Sequence, residues 1–259
     1  MGTFQAGDLS LAAYKGEKEH QTVAFSKLMS AFYNQIFSLQ NPEELCTMTS
    51  LARFYVALPV LSHSLYAAFR HSESSGMIQN IYSASAFKWI SIATELRHPE
   101  LFRDAVTLLV GHGTFNPSET YANLKYAKQE KAIHAIKNAH NDLQAKFSKV
   151  QHAVLEEIYT SSQWVDAEQI STKSIQVMKE MKRSNTLKIS LPEYYRKLYE
   201  IGASNSVQWN LRKAIKPLFE NNLCLPRPSS WVEGGRKDHF FCITIDDEDL
   251  PWDTTQTVW

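Results

Sequence analysis

From Tyr121 to Tyr159 the apolar side chains Leu124, Ala127, Ile133, Ile136, Ala139, Leu143, Phe147, Val150, Val154 and Ile158 recur mostly three or four positions apart. A strand repeats every two residues, so a stripe of this period over about 39 residues dictates a long amphipathic helix. The spacing is not a clean heptad, so the stripe is expected to pack in a globular body rather than in a coiled coil, with at most one break. A helix of that length needs other helices to cover its face.

The rest of the chain supplies them. Val23, Phe25, Leu28, Met29, Phe32, Ile36 and Phe37 read as one apolar helix face. Asn41-Pro42-Glu43-Glu44 signals a new start: a side-chain cap, a proline suited to the first helical position and a carboxylate where a capping box places it. Leu45, Met48, Leu51, Ala52 and Tyr55 continue that helix. Pro59 opens a third, carrying Val60, Leu61, Leu65 and Phe69. Further helices are predicted over Met77–Leu96 and Leu101–Val110. Gly111-His112-Gly113 reads as a helix stop that uses glycine's freedom at positive φ. Three more helices are predicted, at about 168–181, 192–201 and 206–219.

Strand signals are scarce. The strongest is His239–Ile245, rich in aromatic and β-branched residues. Asp246-Asp247-Glu248-Asp249 follows it, a charge pattern that opposes a helix dipole at its C-terminal end. We therefore expect an extended tail packed over helices, burying alternate side chains, with its acids towards solvent or the basic stretch Lys179–Arg183. Phe240, Phe241, Leu250, Trp252 and Trp259 are the candidate tail-packing or interaction residues; indoles are seldom needed in a tail that packs on nothing. The predicted fold is predominantly α: an irregular multi-helix bundle with a long central helix and an extended C-terminal tail packed on it. Residues 1–21 are predicted to be a flexible lead-in.

Composition narrows the chemistry. Lys plus Arg is 27 and Asp plus Glu is 27, which argues against a strongly basic nucleic-acid-binding domain. Cys46, Cys224 and Cys242 are too few and too scattered for a disulfide scaffold or a zinc ribbon. His134, His140 and His152 lack the spacing of a metal-binding helix. Gly234-Gly235-Arg236-Lys237 reads as a surface turn, lacking the strand and helix that shape a phosphate loop. No catalytic, cofactor-binding or metal-ligating residue is assigned, no cofactor is expected, and the chain is read as not an enzyme. The start is too polar for a signal peptide and no apolar run spans a bilayer, so an intracellular protein off the membrane is expected, in nucleus or cytoplasm. Two alternatives stay open. Basic helices at 125–149 and 173–197, with Tyr194, Tyr195 and Tyr199 to stack on bases, fit a nucleic-acid-associated regulatory factor, though no specific nucleic acid is expected. A cysteine- or histidine-dependent hydrolase would need Cys224 or Cys242, His239 and an acid brought together.

The run Leu51–Leu65, with Glu95–Asp104, Ala135–His140, Arg236–Cys242 and Asp246–Asp253, resembles a group of filamentous-fungal proteins at the end of their BTB/POZ domain and in the helical extension that follows. The resemblance covers about residues 30–255 and rests on no catalytic signature. It implies that 22–70 correspond to the terminal helices of that domain and 71–259 to the extension with its acidic-aromatic tail. Only about fifty residues precede the matching helix end, so the β-rich portion is expected to be missing. Dimerisation through that portion and binding to a cullin scaffold are then not expected. What remains is a monomeric, non-enzymatic protein-interaction or adaptor module with an unidentified protein partner.

Overall fold

A computed structural model describes residues 18–71, 86–112, 116–126, 130–160, 191–201, 209–220, 223–225 and 240–256, with 172, 175, 176 and 179. In order they form α1 (Lys18–Phe32), α2 (Pro42–Phe54), α3 (Leu58–His71), α4 (Ala86–Glu95), α5 (Pro99–Gly111), α6 (Pro117–Tyr126), α7 (Glu130–Thr160), α8 (Leu191–Ile201) and α9 (Trp209–Ile215). The 3₁₀ turns Lys216–Leu218 and Asp247–Asp249 follow. This is an irregular helical bundle, and among the described residues there is no β-sheet, only a single antiparallel bridge between His112 and Phe240. Among them no helix is long and apolar enough to cross a membrane.

The local signals at α2 act together. Asn41 Oδ1 accepts from the Glu44 amide at 2.8 Å, and Glu44 Oε2 accepts from the Gln40 amide at 2.8 Å. The buried Glu44 carboxylate also pairs with Lys27, tying the start of α2 to α1. Asn41 caps one orphan amide of the helix, while Glu44 reaches back past the cap to the amide of Gln40, one residue before it, and so fixes the entry of the chain rather than closing a capping box. At α5 the cap is unusual: His98 Nδ1 accepts from the Leu101 amide at 3.3 Å, with Pro99 in the first turn.

Helices α1, α2 and α3 pack on one another, α4 packs on α5, and α7 covers both α5 and α9. The N-terminal trio joins the rest through Arg53, which donates to both oxygens of Glu95 at 2.5 and 2.6 Å, and through Tyr66 and Phe69, whose rings meet His98. One hydrophobic cluster runs through all of these elements, with Trp89, Phe69, Phe102 and Phe241 its largest fully buried side chains. Helix α5 lies at the centre; Leu101, Phe102, Ala105, Val106 and Leu108 are buried, and so are Asp104 and Thr107.

The tail takes an extended path across α5. The Phe241 amide donates to the Gly111 carbonyl at 2.9 Å, the Cys242 amide to the Leu218 carbonyl at 2.8 Å, and Arg103 Nε to the Ile245 carbonyl at 2.9 Å. Phe241 enters an aromatic box of Phe147, Tyr195 and Phe219, with centroids 4.8, 6.0 and 5.8 Å away.

Three expectations need correction, and two others hold in detail. The apolar run of α1 is not one face: the helix ends at Phe32, Ala24, Leu28 and Ala31 go inside, and Phe25, Phe32 and Ile36 are exposed. The 121–159 pattern falls on α6 and α7, the latter beginning at Glu130, in line with the single break it allowed. The tail does not bury alternate residues: Phe240 to Ile243 and Ile245 are all buried, because the groove has walls on both sides, as for a strand covered on two faces. Of its acids, Asp246, Asp247 and Glu248 are exposed, in line with the solvent-facing alternative, while Asp247 also pairs with Arg103 and Asp249 accepts from Asn138 at 2.9 Å; of the 179–183 stretch only Lys179 lies among the described residues. Gly111 is not at positive φ; it is the last residue of α5, and a Cβ there would sit 2.1 Å from the Phe241 carbonyl oxygen. Its glycine serves close approach of two backbones. Met77–Ser85 and most of 168–181 lie outside the described residues.

Candidate functional site

The end of the molecule formed by α1, α2 and the start of α3 keeps large apolar side chains in solvent. Helix α1 has two adjacent apolar faces. Ala24, Leu28 and Ala31 form the inner one, while Phe25, Met29 and Phe32, at i, i+4 and i+7, form a second that no described helix covers fully. Tyr55 packs against Phe25 with centroids 5.7 Å apart, and Phe54 meets Tyr55 edge-on at 5.0 Å. Phe54 is 78% exposed, Val56 88%, Tyr33 76% and Ile36 69%.

Backbone geometry puts these residues there. After α2, the Val56 amide donates to the Arg53 carbonyl at 3.2 Å and the Ala57 amide to the Ala52 carbonyl at 2.7 Å. These are the two bonds of a Schellman stop, and they require a left-handed residue, here Val56 at φ 55°. A β-branched side chain in that conformation costs about 1–2 kcal/mol. Asn34 at φ 52° closes α1 and Arg97 at φ 45° closes α4 with the same pair of bonds. The Val56 stop turns the chain sharply and leaves Phe54, Tyr55 and Val56 projecting at the corner.

Beside this corner, an open groove of about 680 Å³ runs between the turn Asn34-Gln35-Ile36 and one stripe of α3, His63, Tyr66, Ala67 and Arg70. Glu100 and Arg103 both act on Tyr66, in opposite senses; burial is the larger influence and raises its hydroxyl pKa.

The residues singled out from sequence are placed as follows. Phe240, Phe241 and Leu250 are buried in the tail groove, and Trp252 is half-buried, edge-on to Phe102 at 5.5 Å. Trp259 and His239 lie outside the described residues. Cys224 sits next to Asp104, whose carboxylate accepts the Cys224 and Leu225 amides at 2.8 and 3.0 Å. Burial, and then the Asp104 charge, push the Cys224 thiol up to about 11, away from the thiolate a nucleophile needs. Cys46 is likewise raised by burial and Cys242 is buried. Of the histidines on α7, His134 is exposed, His140 lies 3.3 Å from Gln144, and His152 lies 3.3 Å from Glu156. Among the described residues no three His, Cys, Asp or Glu side chains are placed to share a metal ion.

Along the basic segments, Lys137 lies over the Tyr121 ring and Lys197 pairs with Glu193 at 3.1 Å. Arg196 covers the Phe219 ring at 4.1 Å and Arg212 the Tyr199 ring at 4.5 Å. Tyr195 turns inward to stack on Phe147 and meet Phe241, and Tyr194 meets Tyr195 edge-on. Sequence reasoning missed the Phe54–Val56 corner. Its one signal was a run of large apolar residues directly before a predicted helix start at Pro59. No protein-family model, curated protein or solved structure matches the chain.

Proposed function

We propose that the chain is a non-enzymatic protein-interaction module of the kind implied by its resemblance to the helical extension of BTB/POZ proteins, and that it meets its partner through the α1–α2 corner. The observation that carries this reading is the cluster of Phe25, Phe54, Tyr55 and Val56, two of them more than three-quarters exposed, held out by a helix stop that a valine makes at an energetic cost. Scattered single apolar residues are ordinary on protein surfaces, whereas a contiguous aromatic patch marks an interaction site. Tyr and Phe at such a site carry much of the binding energy of protein complexes.

The test is affinity capture of the full chain from its own cells beside the double variant Phe54→Ser/Val56→Ser. Stoichiometric co-purifying proteins are expected with the native chain and a loss of most of them with the variant. Recovery of the same proteins at the same ratio with both chains overturns the assignment of this corner. A dimer in light scattering that the double variant dissolves would assign the corner to a second copy instead.

A further inference from the structure

The groove beside the corner has a lining with one sign of charge. Its α3 wall presents His63, Ser64, Tyr66, Ala67 and Arg70, so that one helical stripe gives polar groups near His63 and at Arg70 with the Tyr66 ring and Ala67 between them. Its other wall is Asn34, Gln35 and Ile36, two amides and a largely exposed isoleucine. No carboxylate lines it among the described residues. Arg70 is exposed and enters no ion pair among them. Other arginines are committed: Arg53 to Glu95, Arg103 to Asp247, Arg196 and Arg212 to aromatic rings. A volume of about 680 Å³ accommodates a short extended segment of a few side chains.

The molecule already shows what such a surface receives. On the central helix, Arg103 binds the Ile245 carbonyl and the Asp247 carboxylate of the tail, while Ile245 and Leu250 on either side are buried. One arginine on a helix, a carboxylate, and flanking apolar contacts hold an extended acidic segment in place. Guanidinium–carboxylate pairing at so exposed a site is modest in energy, and what it adds to the flanking apolar contacts is the orientation of the segment it holds. The chain's own tail is seated on α5, so it does not occupy the groove.

We propose that the groove between the Asn34–Ile36 turn and α3 docks an acidic, apolar peptide segment of the partner protein, its carboxylate paired with Arg70 and its apolar side chains laid against Ile36 and Ala67. This rests on the interaction-module reading and names the chemistry of the partner. The corner at Phe54–Val56 and the groove are separate surfaces, because none of the corner residues lines the groove.

The test is selection of a displayed library of random twelve-residue peptides on the full chain, with parallel selections on Arg70→Glu and Ala67→Trp. Both positions are exposed, so both variants should fold, which circular dichroism checks. The native chain is expected to enrich peptides rich in Asp and Glu beside Leu, Ile or aromatic residues. Synthetic versions should bind Arg70→Glu at least about tenfold more weakly, and bind the native chain more weakly as salt rises. Arg70→Glu should enrich peptides with Lys and Arg in place of the acids, Ala67→Trp should lose the peptides by filling the groove, and Phe54→Ser/Val56→Ser should retain them. Enrichment of neutral or basic peptides on the native chain, equal binding to Arg70→Glu, or no enrichment overturns the proposal. If that happens while the corner variant still loses its cellular partners, only the groove assignment falls. If the corner variant captures the same proteins as the native chain, the corner assignment falls with it, and if the native chain captures no stoichiometric protein, the interaction reading itself falls.

Discussion

Val56 shows how one residue can set both stability and surface. Its left-handed backbone is demanded by the two hydrogen bonds that close α2, and its side chain reaches mostly solvent. Glycine would meet the same backbone demand without the Cβ clash. Val56→Gly should therefore stabilise the protein by about 1 kcal/mol in denaturant unfolding, while weakening capture of partners at the corner. A destabilised variant would show that the valine side chain has a packing role at the corner. The residue scale is also where the sequence was hardest to read. Asn41, Pro42 and Glu44 announce a helix start because their local preferences agree with the fold. Val56 contradicts its own preference, so nothing in the pattern marked the left-handed stop. Gly111 was legible as special, but for the wrong reason: the need arises from Phe241, far away in the chain, and not from its own φ.

At the scale of elements, the tail segment 240–252 supplies part of the core to α5. Its two ends should respond differently to mutation. Gly111→Ala places a Cβ against the Phe241 carbonyl and should lift the segment from α5, opening the buried Cys242 to thiol reagents. Trp252→Ala removes a half-buried ring from Phe102 and should cost about 3 kcal/mol, leaving Cys242 protected. Mass-spectrometric labelling at Cys242 in the two variants checks both; protection of Cys242 in Gly111→Ala would show that the backbone contact can relax. The tail was legible as extended from its β-branched and aromatic run. Its burial on both sides was not, because burial depends on α7, α8 and the 216–219 turn closing over it. The helices were legible where one face is apolar, as in α2, α3 and α7. They were misread in α1, where two apolar faces adjoin and period alone does not say which one is covered. That is also why the candidate site was largely hidden: exposed and buried aromatics share the same spacing.

At the scale of the whole molecule, His98 couples the N-terminal trio to α5. It caps α5 through Nδ1 and stacks on Tyr66 at 4.3 Å, while its Nε2, which must then carry the proton, is buried with no hydrogen-bond partner among the described residues. Burial holds its pKa down to about 4. The unfolded chain takes up this proton below about 6.5 and the folded one only near 4, so stability is full above 6.5 and is lost as the pH falls towards 4. The loss amounts to about 3 kcal/mol. Urea unfolding from pH 7 to 4 should show this fall, and His98→Asn, which keeps a capping oxygen without the titration, should reduce it by that amount. Equal pH profiles for the two proteins would remove His98 from the account.

The contact of the tail with α5 has a consequence in time. Thr107 donates to the Ile243 carbonyl across 136 residues of sequence. At synthesis rates of roughly 5–20 residues per second, α5 waits roughly 7–27 s for the segment that covers it. Phe102 and the neighbouring inward-facing residues spend that interval without Trp252 and the tail. A nascent chain stalled before residue 240 presents this strip to whatever apolar surface arrives first, so the hazard of this fold lies in how long its central helix is left open during synthesis.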